Sequence, residues 1–348
     1  MVVLPLRGEI LNNDLITAYI AAGIGRAHGW SHIYSLALEH DMFVQLRPHA
    51  VFQDGAWYAT PPVYAWLVLP LTLLSPAAAV YVWLALLGVA LTAAWWIAAP
   101  EGGRTRWLWL LGALAWYPVL YSLEFVQPAL LVLLIAAASW KLADLRKPYL
   151  AGAVLGLSVI KPQLVLLIPL VLLAAGRWRV VLPWALIGAA LALLSLISLG
   201  ADGLGDYRIT LAHESQVANN RYFTLAYLLG PGLLSYAVPA LAVLVTMAGA
   251  YLNRRESYGR LFALGIVAST LTPTYWHLQD FTILVLAGWL FWREQPPAWQ
   301  RAWLLVVVIA GEFAWPLTPL PMLVGIAVWF AFLVAPSRTP VSERALAT

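Results

Sequence analysis

Residues 150–179, LAGAVLGLSVIKPQLVLLIPLVLLAAGRWR, decide what kind of chain this is. Two apolar runs meet at Lys161–Pro162, and each is shorter than the ~20 residues that a straight membrane crossing needs. Short or proline-broken helices are tolerated within a bilayer where they are buried in protein or line a wet cavity. The second run stops at Arg177 and Arg179, a basic break of the kind that marks a cytoplasmic loop. The stretch therefore reads as two half-length membrane helices around a single lysine.

Composition extends that reading to the whole chain. Of 348 residues 62% are hydrophobic and 10% charged, with a mean hydropathy of +0.80. A soluble domain carries roughly 25% charged residues to cover its surface, so most of this surface must face lipid. The absence of cysteine rules out disulfides, thiolate metal sites and cysteine nucleophiles. The six histidines form no pair like that of a zinc-hydrolase motif, which gives metal chemistry little to stand on. A formal charge of +4 speaks against a nucleic-acid partner. The opening MVVLPLRGE lacks the basic and long apolar regions of a signal peptide.

Apolar runs at 76–99, 107–123, 127–140, 149–160, 163–175, 180–199, 235–252, 259–274, 278–292, 302–314 and 321–335 follow one another with short breaks. They predict an all-α, polytopic membrane protein of about eleven transmembrane helices, some short or broken. No repeat divides residues 61–335, which read as one membrane domain. Residues 1–60 contain no spanning run and predict an interfacial segment with amphipathic helices; residues 336–348 are a tail. Six basic breaks, at Arg104/Arg106, Lys141/Arg146/Lys147, Arg177/Arg179, Arg254/Arg255/Arg260, Arg293/Arg301 and the tail, hold 14 of the 20 basic residues. They alternate with breaks at 124–128, 200–234, 275–277 and 315–320 that are poor in them, so the basic breaks are expected in the cytoplasm. The opposite, extracytoplasmic face then receives residues 1–60, Lys161, an outer loop at 200–234 and the Trp276–His277 turn. The apolar PPVYAWLVLPLTLL (61–74) would invert this order if it crossed, so it is expected to dip into the membrane as an elbow.

Ionisable residues on that outer face carry the functional signal, because charge beside hydrocarbon is costly. In the N-terminal segment they are Glu9, Asp14, Glu39, Asp41 and Asp54. From Leu15 to Ile24, LITAYIAAGI predicts an amphipathic surface helix with Asn13 or Asp14 as its N-cap. Read alone, Asp14 is that cap, and Glu39, Asp41 and Asp54 are solvated loop charges. Lys161 either snorkels to the interface from a helix end or holds a lipid-borne phosphate. The loop GADGLGDYRITLAHESQVANNRYF (200–223), with Asn220 and Arg221, either lies over a site as a lid or acceptor platform or is a solvated connection. In TPTYWHLQDF (272–281), His277 and Asp280 stand one helical turn apart. Either both face one outer cavity or the histidine is simply capped by its neighbour.

The order of the motifs is informative beyond any one of them. Asp14, Leu15 and Tyr19 form an Asp–hydrophobe–x–x–x–Tyr helix start, followed by Gly29 and Tyr34. Tyr58, Pro61 and Pro62 come next, then Pro70 and Leu71, and Gln127 in a turn. AGAVLGLSVIKPQ supplies Gly152, Gly156, Lys161 and Pro162, with Arg177–Trp178–Arg179 a helix later. Thr272, Pro273, His277 and Asp280 complete the series. In this order, over about residues 12–295, the chain resembles the GT-C superfamily of membrane glycosyltransferases. Within it the chain is similar to glycosyltransferase family 87, the polyprenyl-phosphate-mannose-dependent mannosyltransferases such as those that build phosphatidylinositol mannosides. Two features depart from that family. Its members place a transmembrane helix ahead of the aspartate, whereas the sequence here starts at the loop. Its outer-loop Asn–polar–Ser pattern is Asn220–Arg221–Tyr222 here, so no role passes to that serine position.

The resemblance implies a GT-C-like helical bundle in a bacterial plasma membrane, working extracytoplasmically in cell-envelope glycolipid synthesis. It implies an inverting transfer of a sugar, mannose in the family, from a polyprenyl-phosphate carrier to a lipid or glycan acceptor. The partners are then that lipid-linked donor, the acceptor and membrane lipids, with neither cofactor nor metal. A single displacement needs only one essential carboxylate, unlike the carboxylate pair of most glycosidases. Asp14 would be the base, Lys161 the partner of the departing phosphate, and His277, oriented by Asp280, an aid to either. Tyr19, Gln127, Asn220 and Arg221 would contact substrate. A transporter or lipid flippase is the alternative and should show inverted or parallel repeats, which the sequence lacks. A non-catalytic subunit would have no need to gather charge on one face.

Overall fold

The computed structural model describes residues 10–52, 56–100 and 102–336, so Glu9, Asp54 and nearly all of the tail lie outside the described residues. Regular structure among the described residues is helical throughout. In chain order the α-helices are α1 (Leu15–His28), α2 (Leu36–Leu46), α3 (Pro62–Val68), α4 (Pro76–Ala98), α5 (Arg106–Ala115), α6 (Tyr117–Glu124), α7 (Ala129–Asp144) and α8 (Pro148–Gly156). They continue with α9 (Leu167–Ala174), α10 (Trp178–Glu214), α11 (Leu225–Leu228), α12 (Leu234–Leu252), α13 (Tyr258–Leu271), α14 (Leu284–Arg293), α15 (Ala298–Phe313) and α16 (Leu320–Val334).

Three of these, α4, α10 and α12, are long and apolar enough to cross a membrane singly. The other apolar runs fold as short or paired helices, and proline sets several of the breaks. Pro162 drives Lys161 out of the helical region (φ −153°, ψ 72°), so the chain passes through two 3-10 turns between α8 and α9. The run expected at 107–123 is broken at Trp116, with Pro118 in the first turn of α6. The run expected at 278–292 starts as a 3-10 turn, Leu278–Ile283, before α14. Residues 62–73 form α3 and a 3-10 turn of the elbow kind; at ~1.5 Å per residue they fall short of a ~30 Å hydrocarbon core.

Glycines let the short helices pack closely, as small residues do in membrane bundles. A Cβ on Gly152 of α8 would lie 1.9 Å from the Val180 carbonyl oxygen of α10, and one on Gly156 would lie 2.7 Å from Ile187. Gly265 seats α13 on Ile168 of α9 in the same way, at 2.6 Å. The outward faces carry exposed Leu186, Leu193 and Ile197 on α10 and Leu241 and Leu244 on α12, as lipid contact requires.

Three expectations are corrected. The stretch 200–234 is not a loop throughout: α10 continues to Glu214 after a bend at Gly200 (φ 62°, ψ −165°), and only then do a 3-10 turn and α11 follow. The helix from Leu15 is no amphipathic surface helix. Nearly every residue from Leu15 to Gly25 is buried, because small residues on all sides let α2, α3 and α4 close around it. Glu39 is not solvated: it is 1% exposed and accepts the backbone N–H of Tyr58 at 2.9 Å. Asp41 does stay exposed, beside His40.

The basic breaks meet one another. Arg177 donates to the carbonyls of Arg254 and Glu256, Arg293 to that of Ala99, and Arg260 to those of Phe332 and Ala335. The breaks poor in lysine and arginine meet elsewhere: the Asp14 N–H donates to Phe125 O, and the Trp276 N–H to Asn220 O.

Candidate active site

This second meeting place is a cavity of about 1170 Å³. Asp14, Gln127, Lys161, Asn220, Arg221 and His277 all line it. Asp14 holds the N-cap position of α1, yet its side chain makes no capping bond. Its carboxylate instead accepts the Gln127 side-chain amide N–H. The Gln127 carbonyl oxygen accepts from Lys161 Nζ at 2.8 Å, and Lys161 Nζ lies 2.5 Å from Asp280 Oδ1. One amide thus bridges an anion and a cation, and those charges fix which of its ends faces which.

Local structure explains why Gln127 reaches the bridge. After α6 the chain turns through Val126 at φ 55°, a left-handed conformation costly for a β-branched residue. Val126 is fully buried, so packing holds it there. Lys161 owes its position to the Pro162 break and is 5% exposed: it does not snorkel. α13 ends at Leu271, just ahead of Pro273, which has no N–H to continue the helix, and the chain leads into the extended His277. Asp280 Oδ2 accepts the His277 backbone N–H at 3.1 Å, which orients the histidine through its backbone. The imidazole Nε2 pairs with Asn220 Oδ1 at 2.8 Å, and Asn220 Nδ2 donates to Glu214 Oε2 at 2.6 Å. The expectation of two side chains side by side is met only in part: His277 faces the cavity, while Asp280 is fully buried behind it.

The surroundings tune the titratable groups. Burial pushes the Asp14 carboxyl up to about 7, against the pull of Lys161, and Asp280 adds to the rise. Burial lowers His277 to about 4, which leaves its imidazole neutral at physiological pH. A carboxylate poised near 7 and a neutral imidazole suit proton transfer.

Tyr19 is not brought to the site: its hydroxyl donates to the Leu74 carbonyl, and it does not line the cavity. Glu214, one of the outer-loop residues the sequence offers, positions Asn220; reading the sequence missed Asn13 and Gln279 as residues that line the cavity. Asn13 Oδ1 and Gln279 Oε1 are buried there with no hydrogen-bond partner, as is Arg221 Nε. The adjacency of Asn13 to Asp14 and of Gln279 to Asp280 was the available signal. Among the described residues no group of three or more His, Asp or Glu side chains converges as metal ligands would.

The sequence model of glycosyltransferase family 87 matches residues 58–276. The chain belongs to glycosyltransferase family 87. No curated protein and no solved structure gives a significant match. The family 87 match takes in Gln127, Lys161, Asn220 and Arg221, whereas Asp14, His277 and Asp280 lie outside it and join the site through the contacts above.

Proposed function

We propose that this family 87 glycosyltransferase moves mannose from a polyprenyl-phosphate carrier to a lipid or glycan acceptor, with inversion, at the extracytoplasmic face of the membrane. The observation that carries this reading is the Asp14–Gln127–Lys161 bridge on the cavity wall, which sets a base and a cation side by side. The acceptor hydroxyl gives its proton to the Asp14 carboxylate as its oxygen attacks the anomeric carbon. The bond from that carbon to the phosphate oxygen breaks, and the electron pair leaves with the phosphate. One base and one stabilised leaving group suffice for a single displacement.

Lys161 alone does not match the phosphate, because Asp280 already offsets its charge. Arg221 complements it: it lines the cavity, and among the described residues it forms no ion pair with a carboxylate. A planar guanidinium also suits bidentate phosphate contact. Neutral His277, fixed by Asn220, stands where it can assist acceptor deprotonation or hydrogen-bond the phosphate.

The deciding experiment gives purified protein polyprenyl-phosphate-mannose and a lipid acceptor and measures transfer. Asp14→Asn should lose at least about 100-fold in kcat while donor binding persists. Full activity in that variant would remove Asp14 as the base, and absence of turnover in the unaltered protein would remove the donor assignment.

A further inference from the structure

One wall of the active-site cavity is made of irregular chain. Ala56, Trp57, Ala59, Thr60 and Pro61 line the cavity there, ahead of α3. Such a stretch has no helix to satisfy its backbone, so side chains behind it must do so. Tyr34 donates its hydroxyl to the Thr60 carbonyl at 2.6 Å. The Tyr58 hydroxyl donates to the Pro61 carbonyl at 2.8 Å and accepts the Ala65 N–H at 2.9 Å. Glu39 reaches across from α2 and accepts the Tyr58 N–H at 2.9 Å.

Of these three supports only Glu39 is a carboxyl group. It does not line the cavity, and its second oxygen, Oε1, is buried without a hydrogen-bond partner among the described residues. The charged groups that face it are both acidic, Asp206 and Glu214 of α10. The phenols of Tyr34, Tyr58 and Tyr207 are its other titratable neighbours, while His40 and Asp41 on its own helix are exposed. Among the described residues no cation pairs with it. A carboxylate there would have one donor and no counter-charge, a costly state for a buried anion. Burial pushes the Glu39 carboxyl up to about 8, against the Tyr58 N–H, and Asp206 and Glu214 add to the rise.

We propose that Glu39 is a positioning residue that holds the 56–61 wall as a neutral carboxylic acid, and that its ionisation releases the wall. The carbonyl oxygen of the acid takes the Tyr58 N–H, and the proton stays on the other oxygen. When that proton leaves, only water can satisfy the new anion, and water reaches Oε1 only if the wall or α2 shifts. The wall is therefore firm below about pH 8 and loosens above it. Asp14 must be ionised and Glu39 must not, so the two carboxyls bound the working range from opposite sides without a second group that touches substrate.

Hydrogen–deuterium exchange of the full-length protein in lipid nanodiscs, corrected for the intrinsic pH dependence of exchange, reads the wall directly. Protection of the Tyr58 and Ala65 amides should be constant up to about pH 7.5 and fall about tenfold between about pH 8 and pH 9. Glu39→Gln keeps the carbonyl acceptor and cannot ionise, so its protection should persist to pH 9. Asp206→Asn removes an acidic neighbour and should move the fall to lower pH; it decides the matter alone if Glu39→Gln does not fold. Constant protection in the unaltered protein, an equal fall in Glu39→Gln or an unmoved fall in Asp206→Asn overturns the proposal. The kinetic consequence rests on the reaction proposed above. The alkaline loss of kcat/KM should appear in KM and vanish in Glu39→Gln, while the acidic limb set by Asp14 stays; an alkaline loss kept in that variant also overturns the role of Glu39. The expected exchange pattern without sugar transfer at any pH refutes the proposed reaction alone.

Discussion

Burial of Asp14 gives the site its pH behaviour. With Asp14 pushed up to about 7 by burial, the carboxyl is protonated below that pH and cannot take the acceptor proton. Activity should therefore rise with pH through about 7, and a profile flat from about pH 5 to pH 9 would contradict a base of this kind. The amide N–H of Gln127 favours the Asp14 anion. Gln127→Leu should move the rising limb to higher pH by about one unit, and an unmoved limb would show that the contact does not tune the base. Asp280 has a structural role as well. Asp280→Asn leaves the ammonium of Lys161 buried without its carboxylate, which should cost about 3–5 kcal/mol of stability. Thermal unfolding in detergent checks this, and an unchanged Tm would exclude a stabilising ion pair.

Among the elements, α10 has the most to do with assembling the site. Its first half presents leucine and isoleucine to lipid, and its last turns bring Glu214 to Asn220 and so to His277. The bend between them is at Gly200, whose φ of 62° and ψ of −165° fall in a region open essentially to glycine alone. Gly200→Ala should cost about 1–3 kcal/mol and raise KM by loosening the support of His277, read by thermal unfolding and by steady-state kinetics. An alanine variant with native Tm and KM would mean that the bend is not constrained. The α10 continuation also packs on the N-terminal segment: a Cβ at Gly203 would lie 2.6 Å from the Ser31 carbonyl oxygen. Beside it Tyr34 stacks on Tyr207 at 4.4 Å and on Tyr58 at 5.4 Å. That contact fixes the segment bearing Asp14 against the membrane bundle.

At the scale of the molecule, the fold answers two solvents. Lipid accepts the exposed leucines of α10 and α12 without penalty, whereas the polar side chains of Asp14, Gln127, Lys161 and His277 gather at the cavity. The absence of cysteine makes sidedness directly measurable. In intact cells a membrane-impermeant thiol reagent should label Val51→Cys, beside the cavity, and should label Arg146→Cys only after permeabilisation. The reverse pattern would place the site on the cytoplasmic face.

Composition alone makes this a membrane protein, because a charge fraction this low cannot cover a water-facing surface, and the apolar runs make it helical. The sequence also marked the break at Lys161, since proline acts on the backbone of its immediate neighbour. Asp14, Lys161 and His277 were legible as costly polar residues in an apolar chain. The tertiary structure decided the rest. Asp14 read first as a helix cap, and only the long-range approach of Gln127 shows its side chain turned to the cavity. Lys161 left two readings open, and its contact with Asp280 closes the snorkelling one. Glu39 and α1 looked solvent-facing, yet their burial depends on which elements close over them, and local pattern does not carry that. Glu214 became part of the site because α10 runs on past Gly200, bringing it within hydrogen-bonding distance of Asn220.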